Sequence, residues 1–429
     1  MLSCALCTLG LAASAQGQSW YSSSWNFRKA ITIDYTRVGS TGAPHTDFPV
    51  LISVTDSDLS ADAQSDGDDI LFTSSNGTTK LDHEIEKYTS GTGLLVAWVR
   101  VSSLSAASNT VLYMYYGNGG ASNQQNATGV WNSSYKGVWH LKETAGGTGA
   151  ILDATSNANH GTDNGSPTFA ATGIIGNAIS FDGSNDYISV ADSASLDITG
   201  SGAISAWYRL SAVGTWRSLV DKGTANDPGE THNYGMEFDT GNSMSCVMGN
   251  GTTANSFTSM ATYTDTSSFH HVVLSWDGSN QRFYFDGSLS QTNSQTLTPA
   301  ANTASVLIGA YATVVDYFNG RIDEVRISSA NRSAGWILTE YNNGNSPGTF
   351  LSVSSEECFT TTWTGTVSTN WFTAGNWNNG VPTSTCSVII PGSLGNYPSL
   401  TAAGAVAADL TVQSGASLAI GSQTITVGG

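Results

Sequence analysis

Oxygen-bearing residues alternate along one short stretch of the chain, in a spacing that could bind a metal. Asp153, Thr155, Asn157 and Asn159 are separated by single residues, and Gly161 follows two positions later. Such a loop can wrap a hard cation with side-chain oxygens and a backbone carbonyl, and calcium is the natural candidate. It is not an EF-hand, because the closing bidentate Glu is absent. A plain turn rich in Asn and Asp has the same residues, so the spacing alone leaves both interpretations open.

A second polar cluster combines three carboxylates with an imidazole in residues 82–86, DHEIE. Such a set could bind a metal or perform acid–base catalysis. On a strand, however, Asp82, Glu84 and Glu86 share one face, whereas His83 lies on the other. Nothing else in this part of the sequence supplies a paired nucleophile or base. We therefore predict a solvated acidic face here and no catalytic site.

Three cysteines follow residue 15, namely Cys246, Cys358 and Cys386. Cys358 and Cys386 bracket one small region and could form a disulfide in an oxidising compartment, which would stabilise the region by roughly 3 kcal/mol. Cys246 lies in the strand pattern MSCVM, which favours a small buried hydrophobe over a reactive thiol. No cysteine or histidine after residue 15 has the spacing of a zinc site.

Composition restricts the classes of function. The 429 residues include 47 Gly and only 11% charged residues, which suits short strands joined by tight turns. The length allows two or three domains. The formal net charge of −18 repels phosphate backbones and anionic lipid. We therefore expect no nucleic-acid partner, whereas divalent cations are plausible ligands.

The N-terminal residues indicate a targeting segment. Leu2 to Ala13 form an apolar run too short to span a bilayer, and residues 13–15, Ala-Ser-Ala, fit the rule for signal-peptidase cleavage. The basic residues that usually precede such a run are missing. Removal of a signal peptide at 1–15 would discard Cys4 and Cys7. We predict a secreted or bacterial cell-surface protein with no transmembrane segment in its mature chain.

Two stretches with polar turns between alternating apolar residues organise the middle of the chain. Residues 178–190, AISFDGSNDYISV, and residues 274–285, LSWDGSNQRFYF, share the turn Asp-Gly-Ser-Asn. Both patterns predict β-hairpins, since apolar residues alternate on either side of the turn. The middle of the chain is therefore predicted to be antiparallel β.

Four blocks within residues 181–328 carry a family resemblance: FDGSNDYISV, ISAWYRL, HHVVLSWDGSNQRFYFDG and FNGRIDEVRIS. They resemble bacterial LamG-like jelly-roll modules of the concanavalin A-like lectin/glucanase superfamily. The resemblance implies a jelly roll over residues 135–353. It implies no single activity, because this fold carries lectins, adhesion modules and glycosidases alike.

The same resemblance favours calcium at the loop that begins at Asp153. LamG-like modules often hold a calcium ion there, completed by an acidic residue from elsewhere. Carried over to this sequence, the predicted metal ligands are Asp153, Asn157, Asn159, Asp182 and Asp323. The loop departs from the family's pattern at Ala158, where Gly is usual.

An enzyme of this superfamily would need paired carboxylates. Laminarinase-type glucanases carry Glu-x-Asp-x-x-Glu on one strand, which gives a nucleophile and an acid/base about 5 Å apart. The nearest match here has Glu237 and Asp239 but Asn242 in the third position, and an amide cannot act as a general acid. No Gly-x-Ser-x-Gly elbow occurs either. We predict no catalytic residues.

The segments on both sides of the jelly roll complete an all-β prediction. Residues 20–118 contain the blocks DFPVLISV, DGDDILFTSSNG, LDHEIEKY, LLVAWVRV and VLYMYYGN. These resemble a domain of unknown function, common in bacterial surface proteins, that often directly precedes a LamG module. Periodicity alone predicts a β-sandwich there, and residues 119–134 are predicted to be an exposed polar linker.

The jelly roll is predicted to end in a short helix with Ser333 as N-cap and Trp336 and Ile337 turned inward. A linker at 354–362 follows. Residues 363–429 repeat short strands and Gly turns and resemble the first coils of the β-solenoids in large secreted adhesins. Since such coils need neighbours to bury their faces, we expect a truncated segment of a longer protein.

Two functions fit these observations. The first is a non-catalytic secreted or cell-surface adhesion protein whose LamG-like module binds carbohydrate or another surface ligand, with a structural calcium. The second is a secreted glycoside hydrolase whose catalytic part lies outside this chain, so that the domains predicted here serve as its accessory modules. The missing carboxylate pair favours the first. Aromatic residues could stack on sugar rings, although aromatics in a sandwich more often belong to the core. The candidates are Trp207, Trp216, Tyr234, Tyr311 and Tyr317.

Overall fold

The computed structural model describes residues 19–40, 42–225 and 229–428. The predicted signal peptide, including Cys4 and Cys7, lies outside the described residues. The chain divides into two compact units. The larger contains residues 29–72 and 81–356, and the smaller contains residues 73–80, residues 357–428 and the described residues up to Arg28.

The N-terminal part of the chain is a set of antiparallel strands, as predicted. The strands are β1 (Phe27–Ile33), β2 (His45–Thr55), β3 (Leu71–Ser74), β4 (Lys80–Leu81), β5 (His83–Thr89), β6 (Leu94–Leu104) and β7 (Thr110–Tyr116). Two helices, α1 (Ser57–Asp62) and α2 (Ala127–Val130), and a 3-10 turn at Tyr35–Arg37 accompany them. One sheet has the order β2-β6-β5, and β1, β7 and β3 lie side by side in another. Apolar side chains of both sheets are fully buried.

The jelly roll is built from two large sheets. Its strands are β8 (Tyr135–Trp139), β9 (Gly161–Asn164), β10 (Thr168–Thr172), β11 (Asn177–Asp182), β12 (Tyr187–Val190), β13 (Gly202–Leu210), β14 (Arg217–Gly223), β15 (His232–Phe238), β16 (Ser243–Val247), β17 (Phe257–Thr262), β18 (His270–Trp276), β19 (Asn280–Phe285), β20 (Ser288–Ser294), β21 (Val306–Ile308) and β22 (Asn319–Ser328).

The first of these sheets has the order β10-β11-β22-β13-β18-β19-β20, with β8 also paired to β22. The second has the order β17-β16-β15-β14-β21-β12-β9. Alternate residues of both sheets meet in one apolar core, which includes Trp139, Phe181, Ile188, Met236 and Trp276. The predicted sandwich of two antiparallel β-sheets is thereby confirmed.

The prediction of a hairpin at residues 178–190 is wrong. β11 pairs with β22, whereas β12 pairs with β21 in the opposite sheet. The turn between them carries the chain across the sandwich. Ile179 and Ile188 both enter the core, one from each sheet, so the apolar alternation matches that of a hairpin.

The matching pattern at residues 274–285 does form the predicted hairpin. β18 pairs with β19, and Trp276 lies opposite Gln281. The Asp277 carboxylate closes this turn by accepting hydrogen bonds from the amides of Ser279 and Asn280 at 2.9 and 2.8 Å. Asp182 closes the crossing turn in the same way. The local turn chemistry is therefore identical in the two places.

Helix α3 (Ala334–Asn345) begins as predicted, since the Ser333 hydroxyl accepts a hydrogen bond from the Trp336 amide. It is followed by α4 (Pro347–Phe350). Ile337 packs against the jelly roll. Trp336 instead packs on Phe48 of β2, with ring centroids 4.6 Å apart. The helix therefore fastens the N-terminal strands to the jelly roll, a contact that sequence periodicity does not reveal.

Asn343 of α3 is the most specific part of this contact, and its replacement by Ala is expected to lower the free energy of unfolding by about 1–3 kcal/mol. Its side-chain amide accepts from the Leu51 N–H at 2.7 Å and donates to the Leu51 carbonyl at 2.9 Å. Urea unfolding should show the loss, with the exposed Asn345→Ala as a control that stays within about 0.5 kcal/mol. Equal stability of the two variants would contradict the expectation.

The remaining strands are β23 (Leu351–Val353), β24 (Glu357–Thr362), β25 (Cys386–Ile390), β26 (Ala405–Ala407), β27 (Asp409–Val412) and β28 (Ile425–Val427), with a 3-10 turn at Ala374–Asn376. β23 pairs with β1. β24, β25 and β27 pair in parallel, as do β26 and β28. The smaller unit buries Trp363, Trp371 and Trp377 together. A solenoid continuing from these strands stays a prediction.

The cysteines of the described chain lie in two environments. Cys358 and Cys386 form a disulfide that joins the start of β24 to the start of β25. Cys246 is 1% exposed, and it is part of the jelly-roll core. Burial raises the pKa of its thiol above 9, in keeping with an unreactive cysteine.

Candidate functional site

Hydrogen bonds engage both carboxylate oxygens of Asp153, the first predicted calcium ligand. Oδ1 accepts from the amides of Val138 and Thr155 at 3.0 and 2.9 Å. Oδ2 accepts from the Thr155 hydroxyl and from the Asn159 amide at 2.8 and 2.9 Å. The side-chain amides of Asn157 and Asn159 donate to backbone carbonyls of β8. This geometry resembles the plain turn that the sequence left open as the alternative.

The other two predicted ligands take part in different contacts. Asp182 closes the crossing turn through its Oδ1. Asp323, on β22, is fully buried, and its Oδ2 accepts from the amides of Ile174 and Ile175 at 2.9 and 3.1 Å. Neither carboxylate hydrogen-bonds to the loop of Asp153. Calcium shared by the five residues, or held by the loop alone, stays a prediction.

The loop offers a direct test, because Asp153→Asn is expected to cost about 1–3 kcal/mol of unfolding free energy whether or not calcium is present. The substitution replaces a carboxylate that accepts from four donors. Denaturant unfolding of both proteins, in chelator and in millimolar calcium, measures the difference. A difference in unfolding free energy between the two proteins that increases with calcium would instead show that the loop binds the ion.

A buried ionic network lies where β5 and β6 meet the jelly roll. Its members come from both domains: Glu84, Glu86, His140, Lys142, Asp323, Glu324, Arg326 and Glu340. The His140 ring is central, with Nδ1 2.6 Å from Glu324 Oε1 and Nε2 3.3 Å from Glu84 Oε2. Burial alone would lower the pKa of His140, but Glu324 and Glu84 raise it to about 10.

This network corrects the prediction of a solvated acidic face. The side chains of Glu84 and Glu86 are only 9% and 1% exposed. Trp98 and Trp131 donate their indole N–H groups to Glu86 and Glu84. Alternation along β5 placed the carboxylates on one face correctly. It could not show that residues outside the strand, such as Trp131 and His140, cover that face.

The predicted linker at 119–134 is likewise not a simple exposed segment. It contains α2, and Val130 and Trp131 are 0% and 2% exposed. Gln125 accepts a hydrogen bond from the Ile85 amide through its side-chain oxygen. The segment therefore packs along β5 and forms one wall of the ionic network.

Glu237 does not belong to an exposed catalytic pair. Glu237 is 5% exposed. Burial raises the pKa of its carboxyl group to about 8, and the charges of Asp316 and Asp239 contribute to this rise. Asn242, which occupies the position of the missing carboxylate, accepts hydrogen bonds from Arg217 and the Gly214 amide. The raised pKa favours the protonated form of Glu237, and its burial shields it largely from any substrate.

Of the five aromatic residues considered for sugar stacking, three are buried. Trp207, Tyr234 and Tyr311 are between 0% and 4% exposed. Trp216 is 42% exposed, and Tyr317 is half-buried. The Tyr317 ring lies 6.3 Å from that of Tyr187, a residue that the sequence did not single out.

Tyr187 lines an open groove of about 450 Å³ on the outer face of the second jelly-roll sheet. Since Ile188 and Val190 point into the core, Tyr187 and Ser189 point outward. The hydroxyl-bearing residues of the groove are Tyr187, Ser189, Thr224, Thr303, Ser305 and Thr313. None of the described lining residues is a Lys, Arg, His, Asp or Glu. The groove is therefore uncharged and rich in hydrogen-bonding groups.

One wall of the groove is made of strained backbone. Thr313 and Val314 have φ angles of 61° and 60°, and Asp316 nearby has 50°. β-branched residues at positive φ are genuine outliers, each costing of order 1–3 kcal/mol. The Tyr311 amide holds the turn by donating to the Val315 carbonyl at 2.8 Å. Strain of this kind concentrates at ligand-binding sites, which marks the wall as a candidate.

A buried lysine holds another lining segment of the groove, residues 302–305. Lys222 is fully buried at the end of β14, and its Nζ donates to the carbonyls of Asn302 and Ala304 at 3.1 and 3.0 Å. The same Nζ pairs with Asp192 at 2.8 Å and Asp197 at 3.1 Å. Because these contacts fix the segment 302–305, the groove is largely preformed. A preformed site loses little entropy when it binds.

Family comparisons agree with this architecture. Residues 182–338 match the concanavalin A-like lectin/glucanases superfamily, and residues 66–147 match a domain of unknown function, DUF2341. Residues 362–429 match a second domain of unknown function, DUF8693. The chain thus carries a DUF2341 domain followed by a concanavalin A-like domain, as the sequence resemblance predicted. Among curated proteins, none matches the chain.

Several solved structures are similar in part. The binding domain of botulinum neurotoxin serotype D has 15% identity and a TM-score of 0.39, covering 49% of this chain and 52% of that one. The binding domain of Paraclostridial Mosquitocidal Protein 1 has 13% identity and a TM-score of 0.39, covering 48% and 52%. The binding domain of Botulinum Neurotoxin DC in complex with SialylT has 14% identity and a TM-score of 0.40, covering 49% and 52%.

The chain spans about half the length of these solved structures. At such scores the similarity carries no argument about a ligand. Within residues 19–40, 42–225 and 229–428, no helix is long and apolar enough to cross a membrane.

Proposed function

We propose that the jelly roll binds neutral carbohydrate in the groove beside Tyr187, and that the chain is a non-catalytic, secreted or cell-surface adhesion protein. The observation that carries the proposal is an uncharged groove that combines hydroxyl groups with an aromatic ring. Sugar hydroxyls need such hydrogen-bonding partners, and the apolar faces of sugar rings pack on aromatic side chains. The concanavalin A-like domain supports the same conclusion.

Charge narrows the ligand to neutral glycans. The described lining residues offer no cation to pair with a carboxylate or sulfate, and the chain has a net charge of −18. Long-range repulsion therefore acts against acidic glycans. Peptides with charged side chains would leave those charges unpaired in the groove, which disfavours them for the same reason.

Export is part of the proposal. The disulfide between Cys358 and Cys386 supports it, because disulfides persist in oxidising compartments. N-terminal sequencing of the protein released from its host cell is expected to begin at Gln16. An intact N-terminus on a protein retained in the cytoplasm would contradict this part.

An array of neutral and acidic glycans tests the binding. The wild-type chain is expected to bind a subset of neutral glycans, and Tyr187→Ala is expected to weaken binding about 10-fold to 100-fold through loss of stacking worth about 1–3 kcal/mol. Thr303→Arg, at an exposed lining position, should weaken binding similarly by filling the groove. Tyr35→Ala, which removes a ring that is 41% exposed outside the jelly roll, is the matched control.

The possible results are distinguishable. Neutral-glycan binding that survives both groove substitutions would place the ligand elsewhere on the chain. Absence of any glycan binding by the wild-type chain would contradict the proposed function itself. Binding confined to acidic glycans would contradict the charge argument.

A further inference from the structure

The ionic network between the two domains contains three ligand atoms that converge. One oxygen of Glu86, one nitrogen of His140 and one oxygen of Glu324 lie within 4.8 Å of one another. Glu86 belongs to β5, His140 directly follows β8, and Glu324 belongs to β22. The three side chains are 1–2% exposed. Their convergence therefore occurs in a dry environment supplied by both domains.

A second layer of hydrogen bonds holds these three side chains. Trp98 donates its indole N–H to Glu86 Oε2 at 3.0 Å. Arg326 donates to Glu324 Oε2 at 2.8 Å. Glu84 Oε2 lies 3.3 Å from His140 Nε2, which fixes the ring and directs Nδ1 towards the other two carboxylates. Metal-binding histidines are typically oriented in this manner by a carboxylate on the opposite ring nitrogen.

An independent observation is a buried oxygen with no partner. Glu86 Oε1 accepts no hydrogen bond, although its side chain is 1% exposed. Asp323 Oδ1, on the strand of Glu324, is also buried and without a hydrogen bond. A buried, unpaired carboxylate oxygen is costly. Lys142 and Arg326 pair with Glu84, Glu324 and Glu340. Among the described residues, Glu86 has only His140 as an ion-pair partner, at 3.7 Å.

We propose that this junction binds one divalent transition-metal ion, with Glu86, His140 and Glu324 as its ligands. One imidazole and two carboxylates form a donor set suited to Zn²⁺ or Mn²⁺. Calcium requires six to eight oxygens, so this site would exclude it. The ion would join β5 to the jelly roll and would act structurally. The proposal concerns neither the loop of Asp153 nor the glycan groove, and it stands independently of the proposed function.

The competing arrangement has a proton in place of the ion. In that case an imidazolium would bridge Glu84 and Glu324, in agreement with the 2.6 Å contact between His140 Nδ1 and Glu324 Oε1. Metal content, rather than geometry, separates the two arrangements.

The test uses the full chain, stripped with chelator, desalted and then exposed separately to Zn²⁺, Mn²⁺, Ca²⁺ or Mg²⁺. We expect about one Zn²⁺ or Mn²⁺ per chain by elemental analysis and a thermal midpoint at least about 3 °C higher than that of the stripped protein. Cobalt should replace the ion and give visible absorption bands of nitrogen and oxygen ligation. This signal reports the site in the wild-type chain without any substitution.

Two substitutions locate the ion. Glu86→Gln preserves the shape of the side chain and its contact with Trp98. It should reduce the metal content at least tenfold and the shift of the thermal midpoint to near zero. Asp265→Asn alters a different histidine–carboxylate pair, that of His270. This variant should retain the metal content and the midpoint shift of wild type. Less than about 0.2 ions per wild-type chain, or unchanged metal content in folded Glu86→Gln, would overturn the proposal in favour of the bridging proton.

Discussion

Replacing Lys222 with Met is expected to lower the free energy of unfolding by about 3 kcal/mol. The side chain is fully buried, and its ammonium group satisfies Asp192, Asp197 and two backbone carbonyls at once. Met has a similar length, so the packing volume is largely retained. The cost arises because partly buried carboxylates and buried carbonyls lose their only shared donor.

Urea unfolding measures this loss, with Lys136→Met as the control. Lys136 donates to the exposed Ser133 carbonyl, so its replacement should change stability by less than about 0.5 kcal/mol. Because Lys222 also fixes the segment 302–305, its replacement should weaken glycan binding under conditions where the protein remains folded. A Lys222→Met protein as stable as wild type would show that this segment is held by other contacts.

The second large effect concerns pH, since Glu237→Gln is expected to remove a loss of stability that the wild-type protein suffers between pH 4.5 and pH 8. The pKa of Glu237 is raised from 4.5 to about 8, first by burial and then by Asp316 and Asp239. In this window the folded protein keeps a proton that the unfolded chain releases. Its contribution to stability is therefore complete below pH 4.5 and is lost as pH rises through 8.

The expected difference between the two proteins grows by roughly 5 kcal/mol from pH 4 to pH 9, in favour of Glu237→Gln. Denaturant unfolding across this range measures it. Met260→Gln, a substitution without a titratable group at an exposed position, should follow the pH dependence of wild type. Parallel stability curves for wild type and Glu237→Gln would mean that Glu237 titrates normally and is accessible to solvent.

The two Asp-Gly-Ser-Asn turns show how far local sequence determines this fold. In both, an aspartate accepts from the amides two and three positions later, and this chemistry was predictable. Whether the flanking strands pair with each other depends on partners far away. β12 pairs with β21, more than a hundred residues later, so the chain crosses the sandwich instead of turning back. Apolar alternation is the same in either case.

Burial of the acidic face on β5 follows the same principle. The positions of Glu84 and Glu86 on one face could be read from a period of two residues. Their partner His140 lies 56 positions after Glu84 in the sequence, and the pairing depends on how the domains dock. A carboxylate-rich strand is usually solvated, so the general rule favoured the wrong outcome here.

The groove was the hardest feature to predict. Its lining comes from segments between Tyr187 and Val314, and no motif joins them. A weak signal existed in the outward positions Tyr187 and Ser189, which alternate with core residues of β12. The strained wall at Thr313 gave no signal in the sequence, because no sequence rule predicts β-branched residues at positive φ. Local features such as the Ser333 cap were, by contrast, accessible.

The central claim is that the jelly roll holds carbohydrate without cutting it. A single titration tests this most directly: a neutral oligosaccharide from the array is added to wild type and to Thr303→Arg, and each mixture is then analysed for shortened products. The account predicts saturable binding by wild type, binding at least tenfold weaker in Thr303→Arg, and intact oligosaccharide in both. Equal binding by the two proteins, or shortened oligosaccharide that disappears with Glu237→Gln, would contradict it.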